Sequence, residues 1–211
     1  MPGGTLVLLA QGQITVGGSV TADGHHPGTS GGSGGSILLR GAGGVTVLPT
    51  GSITARGGVP GYSPAPPPVT NGRPGYIRLD AYGQPPVIQG TVDPPPTVLE
   101  LPHLRTQSQP RIGTTWILDV LAPENAPIFL AASLQAGPGT LTPFGPIGID
   151  LTLSASLALT VAAPSHDPIA AVNYRIPYAS PLIGLQLWVQ GLVIPPTLPP
   201  RLTNTIAATV H

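Results

Sequence analysis

The sequence predicts an all-β fold: a short parallel β-helix of about three coils followed by an antiparallel β-sandwich. Three observations carry that expectation. A Gly-led aliphatic pattern recurs three times in the first half. Glycine is concentrated there, with 22 of the 29 glycines in residues 1–104. From about Arg105 longer alternating segments take over, with no long helical period. The expected domains are therefore 1–104, parallel coils with Gly/Pro-rich corner inserts, and 105–211, an Ig-like β-sandwich module.

The repeat is legible residue by residue. Gly4-Thr-Leu-Val-Leu-Leu-Ala10 matches Gly35-Ser-Ile-Leu-Leu-Arg-Gly41 and Gly75-Tyr-Ile-Arg-Leu-Asp-Ala81. A second segment, Ile14-Thr-Val16, matches Val45-Thr-Val47, and a third relates Gly18-Ser-Val-Thr-Ala22 to Gly51-Ser-Ile-Thr-Ala55 and, more loosely, to Gly90-Thr-Val-Asp93. Short alternating strands that recur as a set between Gly turns are the mark of a β-solenoid. Stacked copies give aliphatic columns, Leu6/Ile37/Ile77, Leu8/Leu39/Leu79 and Val20/Ile53/Val92, expected to fill the interior. The columns between them, Val7/Leu38/Arg78, Leu9/Arg40/Asp80 and Thr21/Thr54/Asp93, are expected to face outward. They set Arg40 over Asp80 and Asp23 beside Arg56 as cross-strand ion pairs. Residues 24–34 and 57–74 are left as corner inserts.

The two ends of the coil differ. The first coil starts at residue 4 without a polar cap, which predicts a C-terminal piece of a longer solenoid, or end-to-end self-association through that coil. At the other end Pro85, Pro86 and Pro94 to Pro96 are expected to stop strand addition.

In the second half, Thr115–Leu121, Ile128–Leu134, Ile147–Leu153, Leu157–Ala163, Ala170–Ile176, Leu185–Val193 and Thr203–Val210 read as strands, with turns that include Ala136-Gly-Pro-Gly139. Residues Ser180 to Gly184 allow one helical turn.

Composition narrows function. The chain of 211 residues has eight Arg, no Lys, eight acidic residues, no Cys and zero formal net charge. That excludes nucleic-acid binding by phosphate neutralisation, a disulfide scaffold and Cys-ligated zinc. Gly and Pro, 29 each, are more than twice as frequent as usual. A mean hydropathy of +0.27 nevertheless leaves enough apolar residues for a core. No run of about 18 apolar residues offers a membrane span.

The Gly-Gly-Ser-Gly-Gly-Ser-Ile-Leu-Leu-Arg40 stretch, followed by Gly-Ser-Ile-Thr-Ala-Arg-Gly-Gly58, resembles right-handed parallel β-helix repeats of bacterial secreted or cell-surface proteins, of the pectate-lyase-like and adhesin-like kind. The tail, through Ile112-Gly-Thr-Thr-Trp-Ile-Leu-Asp119, Thr142-Pro-Phe-Gly-Pro146, Ile183-Gly-Leu-Gln-Leu-Trp-Val-Gln190 and Leu202-Thr-Asn-Thr-Ile206, resembles a β-sandwich module that follows such regions. The resemblance implies an exported, structural or adhesive protein, extracellular or on the cell surface, whose export signal would lie upstream. Its expected ligand is a polysaccharide or another cell-surface component. The alternative is an accessory, glycan-binding or terminal part of a β-helix polysaccharide lyase or hydrolase with its catalytic coils upstream.

Candidate chemistry is sparse. Lyases and hydrolases need clustered carboxylates, and Asp23, Asp80 and Asp93 fall in different columns. No catalytic residue or cofactor is expected. Asp23, His25 and His26 are the candidates for a metal, but adjacent residues of an extended chain point opposite ways, and a solvated loop outweighs a ligand set. Gly31-Gly-Ser-Gly-Gly35 spells a nucleophile elbow, which needs a preceding strand and a following helix; a Gly/Ser loop and a strand are expected instead. Ser165-His166-Asp167 are sequence neighbours in a Pro-flanked turn, not a triad. Gly61-Tyr-Ser-Pro-Ala-Pro-Pro-Pro68 reads as a stiff insert rather than a polyproline ligand. Trp116 and Trp188, flanked by aliphatic residues, read as core rather than sugar platforms.

Overall fold

The computed structural model describes residues 1–25, 30–61, 71–163 and 169–211. Two compact units divide the chain, Met1–Glu100 and Leu101–His211. The first holds strands β1 (Thr5–Ala10), β2 (Ile14–Val16), β3 (Ser19–Thr21), β4 (Ser36–Gly41), β5 (Val45–Val47), β6 (Ser52–Thr54), β7 (Tyr76–Tyr82), β8 (Val87–Ile88), β9 (Thr91–Asp93) and β10 (Thr97–Leu101). They form three sheets, β1-β4-β7-β10, β2-β5-β8 and β3-β6-β9. Each coil contributes one strand to each sheet.

The register is the one the repeat predicts. Leu6 pairs with Ile37 and Ile37 with Ile77; Leu8 pairs with Leu39 and Leu39 with Leu79, all in parallel. Val20, Ile53 and Val92 align likewise. Ile37, Leu39, Val47, Ile53, Ile77 and Leu79 form the buried centre of this unit's core. Two expectations fail. Pro85 and Pro86 do not end strand addition, because Val87 and Ile88 still pair with Thr46 and Val47. Pro94 to Pro96 do not either, since β10 follows them and joins β7. A proline removes one donor from one strand; the residues just beyond it keep theirs.

The second unit is antiparallel, matching the predicted order of parallel sheets followed by a sandwich. Its strands are β11 (His103–Thr106), β12 (Thr115–Leu121), β13 (Pro127–Ser133), β14 (Ala136–Thr142), β15 (Gly145–Ile149), β16 (Ser154–Val161), β17 (Ile169–Arg175), β18 (Gln186–Val193), β19 (Arg201–Leu202) and β20 (Ile206–Thr209). One sheet runs β11-β12-β17; the other runs β16-β13-β18-β19, with β20 also on β18; β14 and β15 form a hairpin. Trp116, Leu118 and Val120 of β12 share one core with Ile128 and Leu130 of β13 and Val189 and Val193 of β18. Trp116 is fully buried and Trp188 half-buried. The expected turn at Ala136–Gly139 is part of a strand. The end of the expected strand Ile147–Leu153 is a 3-10 turn, Leu151–Leu153, capped by the Asp150 side chain. A second 3-10 turn covers Ser180–Leu182, inside the helical turn allowed at Ser180–Gly184.

Candidate functional site

The corner inserts of the first unit are not loops where they are described. Five extended segments, 1–4, 22–25, 31–35, 55–60 and 71–75, belong to no strand, yet they bond to one another through their backbones. The central one, 31–35, reaches all four others: Gly3 donates to Ser33, Gly32 donates to His25, Gly58 donates to Gly32, and Gly34 donates to Arg73, at 2.7 to 3.1 Å. A β-strand has two lateral neighbours; four neighbours require a threefold rather than a flat arrangement, as in packed polyproline II-type chains. Glycine is obligatory for it. A Cβ on Gly31, Gly32, Gly34, Gly35, Gly72 or Gly75 would overlap a neighbour's carbonyl, Gly32 that of Met1 and Gly72 that of Gly32. The sequence signal is Gly31-Gly-Ser-Gly-Gly-Ser36 with its period of three, which a reading for β alternation passes over. The Gly-x-Ser-x-Gly spelling is thus the centre of a backbone bundle. It lacks the strand-to-helix turn of a hydrolase elbow.

Asp23 closes this corner. Its Oδ1 accepts from the Arg56 backbone N–H at 2.6 Å and its Oδ2 from the Thr54 hydroxyl at 3.1 Å. The expected Asp23–Arg56 ion pair is therefore replaced: the Arg56 guanidinium reaches on to Asp93 of the next coil, 2.5 Å away. The reason is reach, since a carboxylate beside a strand end meets the amide before the side chain. His25 enters the bundle through its backbone, donating to Met1 and accepting from Gly32. His26, the third metal candidate, lies outside the described residues, as do 62–70, with most of the proline-rich stretch, and Ser165-His166-Asp167. Among the described residues no three His, Asp or Glu side chains converge as a metal set would.

The Arg40–Asp80 pair forms as expected but not at the surface. Arg40 Nε and Nη2 both donate to Asp80 Oδ2, at 2.9 and 2.8 Å, and Arg78 Nε donates to Oδ1 at 2.8 Å. Asp80 is wholly inaccessible and Arg40 buried, so this face of the sheet, expected to point outward, is covered at those positions. Two guanidiniums on one carboxylate satisfy the buried charge, and removing any member would strand the others. In the second unit Asp119 is likewise buried and accepts from Arg105 at 3.1 Å and from Gln107 at 3.0 and 2.9 Å. Sequence reading missed this trio because its members are 12 and 14 residues apart on paired strands.

One recess stands out, at the outer end of the first coil. It holds about 240 Å³ and is lined by Leu6, Leu8, Ile14, Val16, Val20 and Leu39 among others. Leu6 and Leu8 are 40% and 46% exposed, whereas Leu39 in the same column is 1% exposed. Strands β1, β2 and β3 are the edges of all three sheets. No charged side chain occurs in residues 1–22. Such an end is an open template for strand addition.

Backbone corner, parallel coils and sandwich define a protein of the all-β class, a solenoid followed by a sandwich. Compared with protein-family models, with curated proteins and with solved structures, the chain matches none.

Proposed function

We propose that the chain is a non-enzymatic structural or adhesive segment of a secreted or surface-attached bacterial protein, with a polysaccharide or another cell-surface component as its ligand. The observation that carries this reading is the glycine corner. Its extended segments interlock through main-chain bonds and lack the side chains that would let them slide. They enter and leave residues 26–29 and 62–70, so the chain invests its stiffest local construction in holding two inserts. Binding segments are typically mounted on rigid scaffolds in this way. The carboxylates of the coil supply a second support. Asp23, Asp80 and Asp93 are each bonded to coil residues, which spends them on architecture.

The test is binding of the full chain to immobilised polysaccharides and to whole cells. It is repeated with residues 62–70 replaced by a Gly/Ser stretch of equal length. Binding that falls about tenfold or more at an unchanged melting temperature supports the reading. Binding that survives the replacement rejects the insert as the contact. Cleavage of the bound polysaccharide, seen as new chain ends, would overturn the non-enzymatic reading in favour of a lyase or hydrolase accessory.

A further inference from the structure

Glycines of the coil are needed where the preceding coil presses on them. A Cβ on Gly35 would overlap the carbonyl of Gly4, and one on Gly75 that of Gly35. On Gly51 it would meet the carbonyls of Val16 and Leu48, and on Gly90 those of Gly51 and Leu48. On Gly43 it would meet the backbone of Gly12 and Gln13. The equivalent positions of the first coil are Gly4, Gly12 and Gly18, and a Cβ on any of them would meet nothing within 4 Å. The first coil thus keeps, at three separate places, the glycines of a coil that has another lying over it. Beside them Leu6 and Leu8 are exposed, and all three edge strands lack a partner.

We infer that this face is a docking site for the end coil of a partner chain that is itself a parallel β-solenoid. The partner coil runs in the same direction, carries no charge on its contacting side and sets its carbonyls over Gly4, Gly12 and Gly18. It extends the Leu6/Ile37/Ile77 and Leu8/Leu39/Leu79 columns by one aliphatic residue each. The chain's own far end does not fit. There β10 carries the first sheet one strand beyond β8 and β9. A copy stacked through β10 would leave the other two sheets a strand short, a gap of about 4.8 Å. A copy stacked head to head would run antiparallel, and the room over the glycines is shaped by parallel neighbours. Charge agrees: a face without Lys, Arg, Asp or Glu selects an uncharged partner.

The inference rests on the structural reading above but fails separately from it, because its test involves no ligand. The probe is a covalently supplied coil: a second copy of residues 4–34 placed ahead of Gly4 in the full chain. In the natural chain Gly4→Ala and Gly18→Ala should leave the melting temperature within about 1 °C, whereas Gly35→Ala lowers it by about 5 °C or more. In the extended chain the same substitutions at the original Gly4 and Gly18 should become as costly as Gly35→Ala. Amide exchange at Thr5–Ala10 should slow at least about tenfold. Unchanged exchange, or covered glycines that still tolerate alanine, overturns the inference. So does a natural chain that sediments as a dimer and becomes monomeric on Leu8→Lys, since the occupant would then be a second copy.

Discussion

Leu39 sits between Leu8 and Leu79, Ile53 between Val20 and Val92, and Gly35 between Gly4 and Gly75; in the first unit every environment recurs one coil away. In the second unit nothing recurs. Gln190 accepts from Gly148 N–H and donates to the carbonyls of Pro146 and Thr203, each bond at 2.9 Å. Thr203 accepts from Gly191 N–H at 2.8 Å. Asn204 takes both backbone groups of Leu104, at 2.7 and 2.9 Å, from 100 residues away. The Trp116 indole donates to Thr106 and to the Ser108 carbonyl. The solenoid satisfies its buried backbone by repetition and glycine; the sandwich does so with unique side chains. Loss of one element therefore spreads differently in the two units. A solenoid defect acts through its neighbouring coils, and a sandwich defect strands specific polar groups.

Four substitutions or conditions probe that contrast, in falling order of effect. Leu39→Asp places an unpaired charge in the middle of the coil and should cost more than about 4 kcal/mol, unfolding the first unit. Leu8→Asp, one coil up in the same column, should cost less than about 1 kcal/mol because the side chain is already half in water. Circular dichroism melts of the pair check this, and equal effects would break the register. Gln190→Leu leaves one buried N–H and two carbonyls without their side-chain partner and should destabilise the sandwich by roughly 3 kcal/mol, read from urea denaturation. Gly32→Ala forces the 31–35 segment away from Met1 and should cost about 1–3 kcal/mol, with faster amide exchange in 22–35.

The smallest effect is that of pH at Asp150. Its carboxylate accepts from the Thr152 hydroxyl at 2.6 Å and from the Thr152 N–H at 2.8 Å, which holds its pKa below the usual value. The group therefore contributes stability that is present above the unfolded-state pKa and is lost as pH falls through the lower folded value. Asp150→Asn should flatten the acid limb of a stability-against-pH curve slightly and leave neutral pH nearly unchanged. A change confined to neutral pH would contradict the assignment.

What the sequence by itself determined is whatever depends on periodicity. The aliphatic columns, the parallel register and the position of Thr115–Leu121 follow from alternation and repeat, because burying one face of a strand is a local requirement written at every second residue. Asp80 was legible as the partner of Arg40 for the same reason; its burial was not, since what covers a sheet's outer face leaves no period. Only the tertiary structure decided the rest. Arg56 went to Asp93 instead of Asp23, and Gly31–Gly35 became the centre of a bundle instead of a loop. The trio on Asp119 and the amide of Asn204 on Leu104 formed across long stretches of chain. A hydrogen bond needs two groups within about 3 Å, and for residues far apart in sequence only the folded backbone sets that distance.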